Sequence, residues 1–272
     1  TDQGSLDRIV ATHQPDEVYN LAAQSFVGAS WDQPIMTSDI TGLGVTRLLE
    51  AVRNFCPGAR FYQAGSSEML GGAKRTEQMN EDSGFQPRSP YGCAKVYGFN
   101  IAVNYRESYD MFVSNGILFN HEGELRGIEF VTRKVTDAVA RIKLGLQDKL
   151  ELLNLDSARD WGDSRDFVRG MWLMLQQDEP GDYVLATGVV HTLSDLCEKA
   201  FAVVGITNWL DYVTLSGNDR PADVKYLWGD ASKAERELGW KPETDFDTMV
   251  EEMVRADLQR VEVERKGIQS NG

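Results

Sequence analysis

EVYNLAA (17–23), TGLGVTRLLEAVRNF (41–55) and ARFYQAGS (59–66) follow one another as strand, helix and strand. The outer two are short apolar runs ending in small residues. The middle one has helical spacing, with Leu43, Thr46, Leu48, Leu49 and Val52 marking its apolar side. The rhythm continues with YGCAKVYGFNIAVNYRESY (91–109), a long helix opened by Pro90, and with the strand MFVSNGILFN (111–120). Strands alternating with amphipathic helices predict an α/β fold, a parallel sheet covered on both faces. A second region reads as helix (131–145), strand (182–188), helix (192–205), short helix (233–240) and long final helix (244–266).

The chain has 272 residues, 42% hydrophobic and 26% charged, enough to bury a core as one large domain or two small ones. A net charge of −14 argues against nonspecific nucleic-acid binding and against an anionic membrane. It leaves room for a few local Arg and Lys groups to receive an anionic ligand. Cys56, Cys93 and Cys197 are odd in number and widely spaced, which is no disulfide framework and suits a reducing cytoplasm. His13, His121 and His191 stand in no metal-ligand spacing, so no metal site is expected. No apolar run reaches membrane-spanning length, and the first residues do not read as a signal peptide.

The chemistry concentrates in Ser89-Pro90-Tyr91-Gly92-Cys93-Ala94-Lys95. Tyr91 and Lys95 are four apart at the start of a helix and therefore share a face. A phenol titrates near pH 10 and is a poor base at neutral pH. A nearby ammonium favours the phenolate, so the spacing predicts a proton-transfer pair in which Lys95 lowers the Tyr91 pKa. The pair alone is also compatible with an ordinary exposed helix face. ARFYQAGS, however, runs into Ser66-Ser67-Glu68, which puts two hydroxyls and a carboxylate at the carboxyl end of a strand. Open α/β sheets bind ligands at that edge.

Six motifs then occur in order: QAGSSEM (63–69), PRSPYGCAK (87–95), NGILFNHE (115–122), FVTRK (130–134), RDWG (159–162) and RPADV (220–224). Together they resemble the GDP-mannose 4,6-dehydratases, extended members of the short-chain dehydrogenase/reductase superfamily. Ser66-Ser67-Glu68 fits that branch, whereas the related dTDP-glucose dehydratases carry Thr-Asp-Glu there. The resemblance implies a Rossmann-like doubly wound parallel sheet with a smaller, mostly helical substrate domain. The first unit is expected over residues 1–125 with 165–190, the second over 126–164 and 191–272.

A dinucleotide-binding sheet ordinarily begins with a strand, a Gly-rich turn and a helix whose N-terminus holds the pyrophosphate. Gly42-Leu43-Gly44 lacks the preceding strand and the third glycine, and reads as helix packing. The sheet is therefore expected to lack its first strands, about 60 residues or two βαβ units, before Thr1.

The implied reaction is NADP-dependent dehydration of GDP-D-mannose to GDP-4-keto-6-deoxy-D-mannose, by internal hydride transfer from C4 to C6 and loss of water. In it Tyr91 takes the O4 proton, Ser66 polarises the O4 oxygen, and Glu68 removes the C5 proton and assists departure of water from C6. Lys95 tunes Tyr91 and contacts the nicotinamide ribose. Leu21, Ala22, Ala23, Gln24, Ser25, Tyr91, Lys95, His121 and Arg126 match NADP-contacting positions, Arg126 toward an adenosine phosphate across a subunit contact. Ser67, Asn120, Val131, Lys134, Arg159, Arg220 and Asp223 match positions that hold the GDP-sugar. Family members pair helices corresponding to 41–55 and 91–109, so a homodimer or homotetramer is implied.

Some positions depart from the family pattern. Family members read His-Glu-Ser-Pro before an Arg-rich loop, whereas this chain has His121-Glu122-Gly123-Glu124-Leu125-Arg126, losing an arginine and gaining an acid. Gly65 replaces a common Ser, Met36 a Tyr, and Asp223 a Glu. Two other readings stay open: a reductase or epimerase acting on the 4-keto sugar, and a non-catalytic GDP-sugar-binding subunit. Glu68 separates the first of these, since elimination needs a base at C5 and ketone reduction does not.

Overall fold

The computed structural model of the protein describes residues 1–71, 77–217, 224 and 226–270. The chain opens with helix α1 (Gln3–His13), capped by the Asp2 carboxylate on Ser5 N, and then forms strand β1 (Glu17–Asn20). Two short helices, α2 (Val27–Asp32) and α3 (Pro34–Thr37), lead into a π-helical turn over Ser38–Leu43. Helix α4 (Gly44–Phe55) continues from that turn, so the segment expected as one helix from 41 begins in a widened coil. Strand β2 (Arg60–Ala64), helix α5 (Pro90–Tyr109) and strand β3 (Val113–Leu118) follow as the spacing predicts.

Beyond β3 come β4 (Asn120–Glu122), α6 (Val131–Lys143) and three short strands, β5 (Leu150–Leu152), β6 (Ala158–Arg159) and β7 (Trp161–Asp163). Next are α7 (Ser164–Leu175), β8 (Asp182–Leu185), β9 (His191–Thr192) and α8 (Leu193–Val203). The chain closes with β10 (Val213–Leu215), β11 (Tyr226–Leu227), α9 (Ser232–Leu238) and the long α10 (Phe246–Ser270).

The central sheet has the order β1-β2-β3-β8, and every pairing in it is parallel. Successive strand residues point to opposite faces, and β2 shows the result. Phe61 packs with Val10, Leu49, Val52 and Tyr105 under α1, α4 and α5. Tyr62 packs on the other face with Phe167, Met174, Leu185 and Trp240, from α7, β8 and the end of α9. Both faces are thus covered, as a parallel sheet requires. A separate apolar cluster joins α6, α8 and α10 through Val135, Val139, Phe201, Val250 and Val254, and Trp161 of β7 is buried in it.

Two outward-pointing groups of the edge strand β8 are taken by side chains. Val184 N donates to the Glu81 carboxylate at 2.6 Å, and Asp182 O accepts from Lys233 Nζ at 2.8 Å. Behind the strand ends lies buried Asp160, which accepts from Thr187 N, Thr187 Oγ1 and Gly188 N at 2.6–2.9 Å and from Gly229 N at 3.3 Å. Asp160 therefore ties the loops after β8 and β11 to the RDWG segment. We propose the two-unit division expected from the sequence, with one amendment. Ala234, Leu238 and Trp240 pack on the central sheet, so the α9 segment belongs with the first unit.

Candidate active site

Two capped turns bring the reactive groups together. At the carboxyl end of β2, the Ser66 hydroxyl accepts from Glu68 N at 3.2 Å and starts a single 3₁₀ turn over Ser67–Met69. Ser89 caps α5 by accepting from Gly92 N at 3.0 Å, with Pro90 in the first turn. The two turns touch at Gly92, where a Cβ would stand 2.9 Å from the Glu68 carbonyl oxygen. Glycine there lets the start of α5 press against the turn that carries Glu68. Gly65 also packs closely in this chain: its N donates to Gly116 O at 2.7 Å, and an added Cβ would come within 2.6 Å of that oxygen unless the strands shifted.

These turns border a cavity of about 660 Å³ at the carboxyl ends of β1, β2 and β3, where open α/β sheets take ligands. Ser66, Ser67, Glu68, Tyr91 and Lys95 form one wall. Leu21, Ala23 and Ser25 line it beyond β1, and Asn120, His121, Arg126, Val131, Lys134 and Arg159 line the side toward the helical unit. Ala22 and Gln24 do not line it. Gln24 is turned into packing, its N donating to Thr41 Oγ1 at 3.0 Å and its Nε2 to Phe26 O at 3.1 Å. Arg220 and Asp223 lie outside the described residues. Gly42-Leu43-Gly44 spans the end of the π-helical turn and the first residue of α4, and a Cβ at Gly42 would stand 3.5 Å from Tyr97.

Five basic side chains line the cavity, Arg88, Lys95, Arg126, Lys134 and Arg159, against three acidic ones, Glu68, Glu122 and Glu129. In a chain of net charge −14 that local excess favours an anionic ligand. The Asn120 Oδ1 is buried without a hydrogen-bond partner, an acceptor available to a ligand donor. Small residues Ala23, Ala64 and Gly65 at the strand ends leave room for a flat ring beside Tyr91 and Lys95, so the residues present fit the nicotinamide half of a dinucleotide. Among the described residues no group of His, Cys, Asp and Glu is arranged to hold a metal ion. No helix among them is long and apolar enough to cross a membrane.

The electrostatics differ from the sequence expectation at Tyr91. Burial pushes its phenol up to about 12; Ser66 hydrogen bonding and the Arg126 charge pull it down, while Glu68 pushes it further up. Lys95 is not the group that lowers it. Its ammonium sits 5.6 Å from the Tyr91 ring centre and donates to Ala64 O at 2.8 Å. Burial in turn lowers Lys95 to about 8. His121 is pressed down to about 4, by burial first and then by Arg126 and Lys95. Its Nδ1 lies 2.9 Å from Phe119 O, and a carbonyl only accepts, so Nδ1 carries the proton and Nε2 is left as an acceptor.

Several residues of the site carry no signal in the spacing of the motifs. Buried Glu122 pairs with Arg126 Nε at 2.9 Å and accepts from Thr132 Oγ1 at 2.6 Å; burial raises its carboxyl pKa. The Arg126 guanidinium lies 3.5 Å over the Phe130 ring, so it turns back onto its own chain. Arg88 and Ser89, beside Tyr91 in the PRSPY run, were within reach of sequence reasoning; Asn154 and Ser157 were not, since no motif surrounds them.

A family model described as GDP-mannose 4,6 dehydratase matches residues 1–253. GDP-mannose 4,6 dehydratase 2 of Arabidopsis thaliana is 49% identical over 270 residues, covering 97% of this chain and 72% of that protein. The human GDP-mannose 4,6 dehydratase is 44% identical over 278 residues, covering 95% of this chain and 74% of its own length. Among solved structures, RMD of Pseudomonas aeruginosa complexed with NADPH superposes with a TM-score of 0.88 at 23% identity, covering 95% of this chain and 86% of that one. DesIV, a dTDP-glucose 4,6-dehydratase of Streptomyces venezuelae with NAD and TYD bound, gives 0.86 at 23% identity, covering 96% and 78%. At those identities the structures speak for the fold, a Rossmann-type sheet with flanking helices.

Proposed function

Since the chain belongs to the GDP-mannose 4,6-dehydratase family, we propose that it dehydrates GDP-D-mannose to GDP-4-keto-6-deoxy-D-mannose. The observation that carries this reading is the meeting of Glu68 and Tyr91 on one wall of a basic cavity. A bound NADP would supply the hydride acceptor and donor that keep the reaction redox-neutral. Tyr91 Oη takes the proton of the sugar O4, and the Ser66 hydroxyl donates to the same oxygen as it becomes a ketone. The ketone acidifies C5–H, and the Glu68 carboxylate removes that proton and delivers it to the departing C6 hydroxyl; C5 then takes a new proton from solvent, by way of Glu68, when C6 is reduced. Lys95, fixed by Ala64 O, orients the ribose beside Tyr91.

His121, Ser25, Ala23 and Leu21 border the proposed cofactor side, with Ala22 and Gln24 holding the backbone there. Arg126 is proposed for a cofactor phosphate. Ser67, Asn120, Val131, Lys134 and Arg159 are proposed for the GDP-sugar, basic groups for its pyrophosphate and the open Asn120 acceptor for a ligand donor. Arg220 and Asp223 are carried as substrate positions on the resemblance alone. A homo-oligomer is proposed, supported by half-exposed Leu43 and Tyr97 along the helices the family pairs. A reducing cytoplasmic setting suits three unpaired cysteines.

The test is incubation of the protein with GDP-mannose and NADP+ or NAD+ in deuterium oxide. The expected product is the 4-keto-6-deoxy sugar with deuterium at C5. Glu68→Gln should stop deuterium entry while still allowing substrate to reduce some cofactor. C5 labelling at the normal rate in that variant would refute the role of Glu68. Reduction of a 4-keto sugar without dehydration would favour the reductase reading instead.

A further inference from the structure

Asp257 lies on α10, outside the cavity and fully buried. Its carboxylate accepts from Arg133 Nε at 2.9 Å, from Thr136 Oγ1 at 2.7 Å and from Arg260 Nη1 at 2.8 Å. The two arginines do not end there. Arg133 Nη1 donates to Arg126 O at 2.9 Å and to Glu124 O at 3.2 Å, and Arg260 Nη2 donates to Glu124 O. A planar guanidinium can hold a carboxylate on one edge and backbone carbonyls on another, which an ammonium cannot do in one geometry. One buried anion thus orients two cations, and both grip the loop whose side chain Arg126 lines the cavity.

We propose that Asp257 is a positioning residue, which acts through Arg133 and Arg260 to hold segment 124–126, and with it the Arg126 guanidinium, against the cavity wall. The dehydratase reading identifies the reaction that would feel this, and the proposal rests on that reading for its kinetic arm only. Arg126 is otherwise held by one ion pair to Glu122 and by the Phe130 ring. Its backbone N donates to Gly123 O at 3.0 Å, a turn bond within the same loop. The clamp on the carbonyl side therefore decides how far the side chain can stray.

The experiment compares wild type, Asp257→Asn, Arg126→Ala and the double variant of the full chain. Amide hydrogen exchange at Arg126 and Phe130 should quicken about tenfold in Asp257→Asn while β3 amides keep their rates, the size expected from one weakened charged hydrogen bond. In turnover of GDP-mannose the two single variants should change the same parameter, KM or kcat. The double variant should be no worse than Arg126→Ala alone, because a residue acting through another shows no added effect. Unchanged loop exchange, exchange quickened equally in β3, or additive kinetic losses would each overturn the proposal. Should Asp257→Asn fail to fold, Arg260→Met, a partly exposed side chain, should loosen the loop in the same way, and its failure to do so would count against the clamp. A wild-type chain that turns over no GDP-mannose would remove the kinetic arm and leave the exchange comparison to decide the clamp by itself.

Discussion

Tyr91 sits between a carboxylate that holds its proton on and a guanidinium that helps it off. With the phenol near 12, the protonated form dominates at neutral pH. Turnover that runs through the phenolate should therefore climb with pH across the neutral range. Arg126 lowers this pKa, so Arg126→Ala should raise it and displace the rising limb to higher pH, with kcat at pH 8 falling. A kcat profile whose limb stays put, or moves to lower pH, would show that Arg126 does not act on the phenol. Tyr91→Phe should abolish turnover and leave GDP binding by calorimetry nearly unchanged, since the phenol borders the reacting end of the cavity. More than a tenth of wild-type rate would remove Tyr91 from the role of base. His121, held near 4 and hydrogen-bonded through Nδ1, stays neutral throughout this range.

The elements determine whether those side chains meet. The beginning of α5 approaches the Glu68 turn at a glycine, and Gly92→Ala should separate them by a few tenths of an ångström. The expected result is a loss of roughly tenfold in kcat with little change in melting temperature; an unchanged kcat would mean the turn yields elsewhere. Ser89→Ala should instead cost about 1 kcal/mol of stability, because the Gly92 amide loses its cap. Chemical denaturation distinguishes the two outcomes. The sequence made this part of the molecule readable because Pro90, the four-residue Tyr91–Lys95 spacing and the alternating strands are local signals. It did not reveal that Lys95 would turn to Ala64 O, since that depends on where β2 ends in space. Helix α1 was hidden by a polar sequence with Val10 as its one buried residue. Strands β6, β9 and β11 are two residues long, too short for any alternation to register. Glu122 read as a family letter in NHE, and its pairing with Arg126 emerged only once β4 and the following loop were folded together.

For the whole molecule, a strongly acidic body surrounds a basic cavity. An anionic nucleotide is repelled at long range and attracted at short range. The screening length is about 30 Å at 10 mM salt and about 10 Å at 0.1 M, so modest salt should suppress the repulsion first. Stopped-flow association of GDP should therefore quicken between those concentrations and slow again at higher salt. A rate that falls from the outset would show that the cavity charges dominate at all distances. The sheet has a comparable asymmetry at its edges. On β8 the Glu81 carboxylate occupies the Val184 amide and the Lys233 ammonium occupies the Asp182 carbonyl, so a foreign strand would have to displace two charged side chains before it could dock. That flank of the protein is closed to fibril-like growth, because a strand from another copy finds its ladder positions already taken.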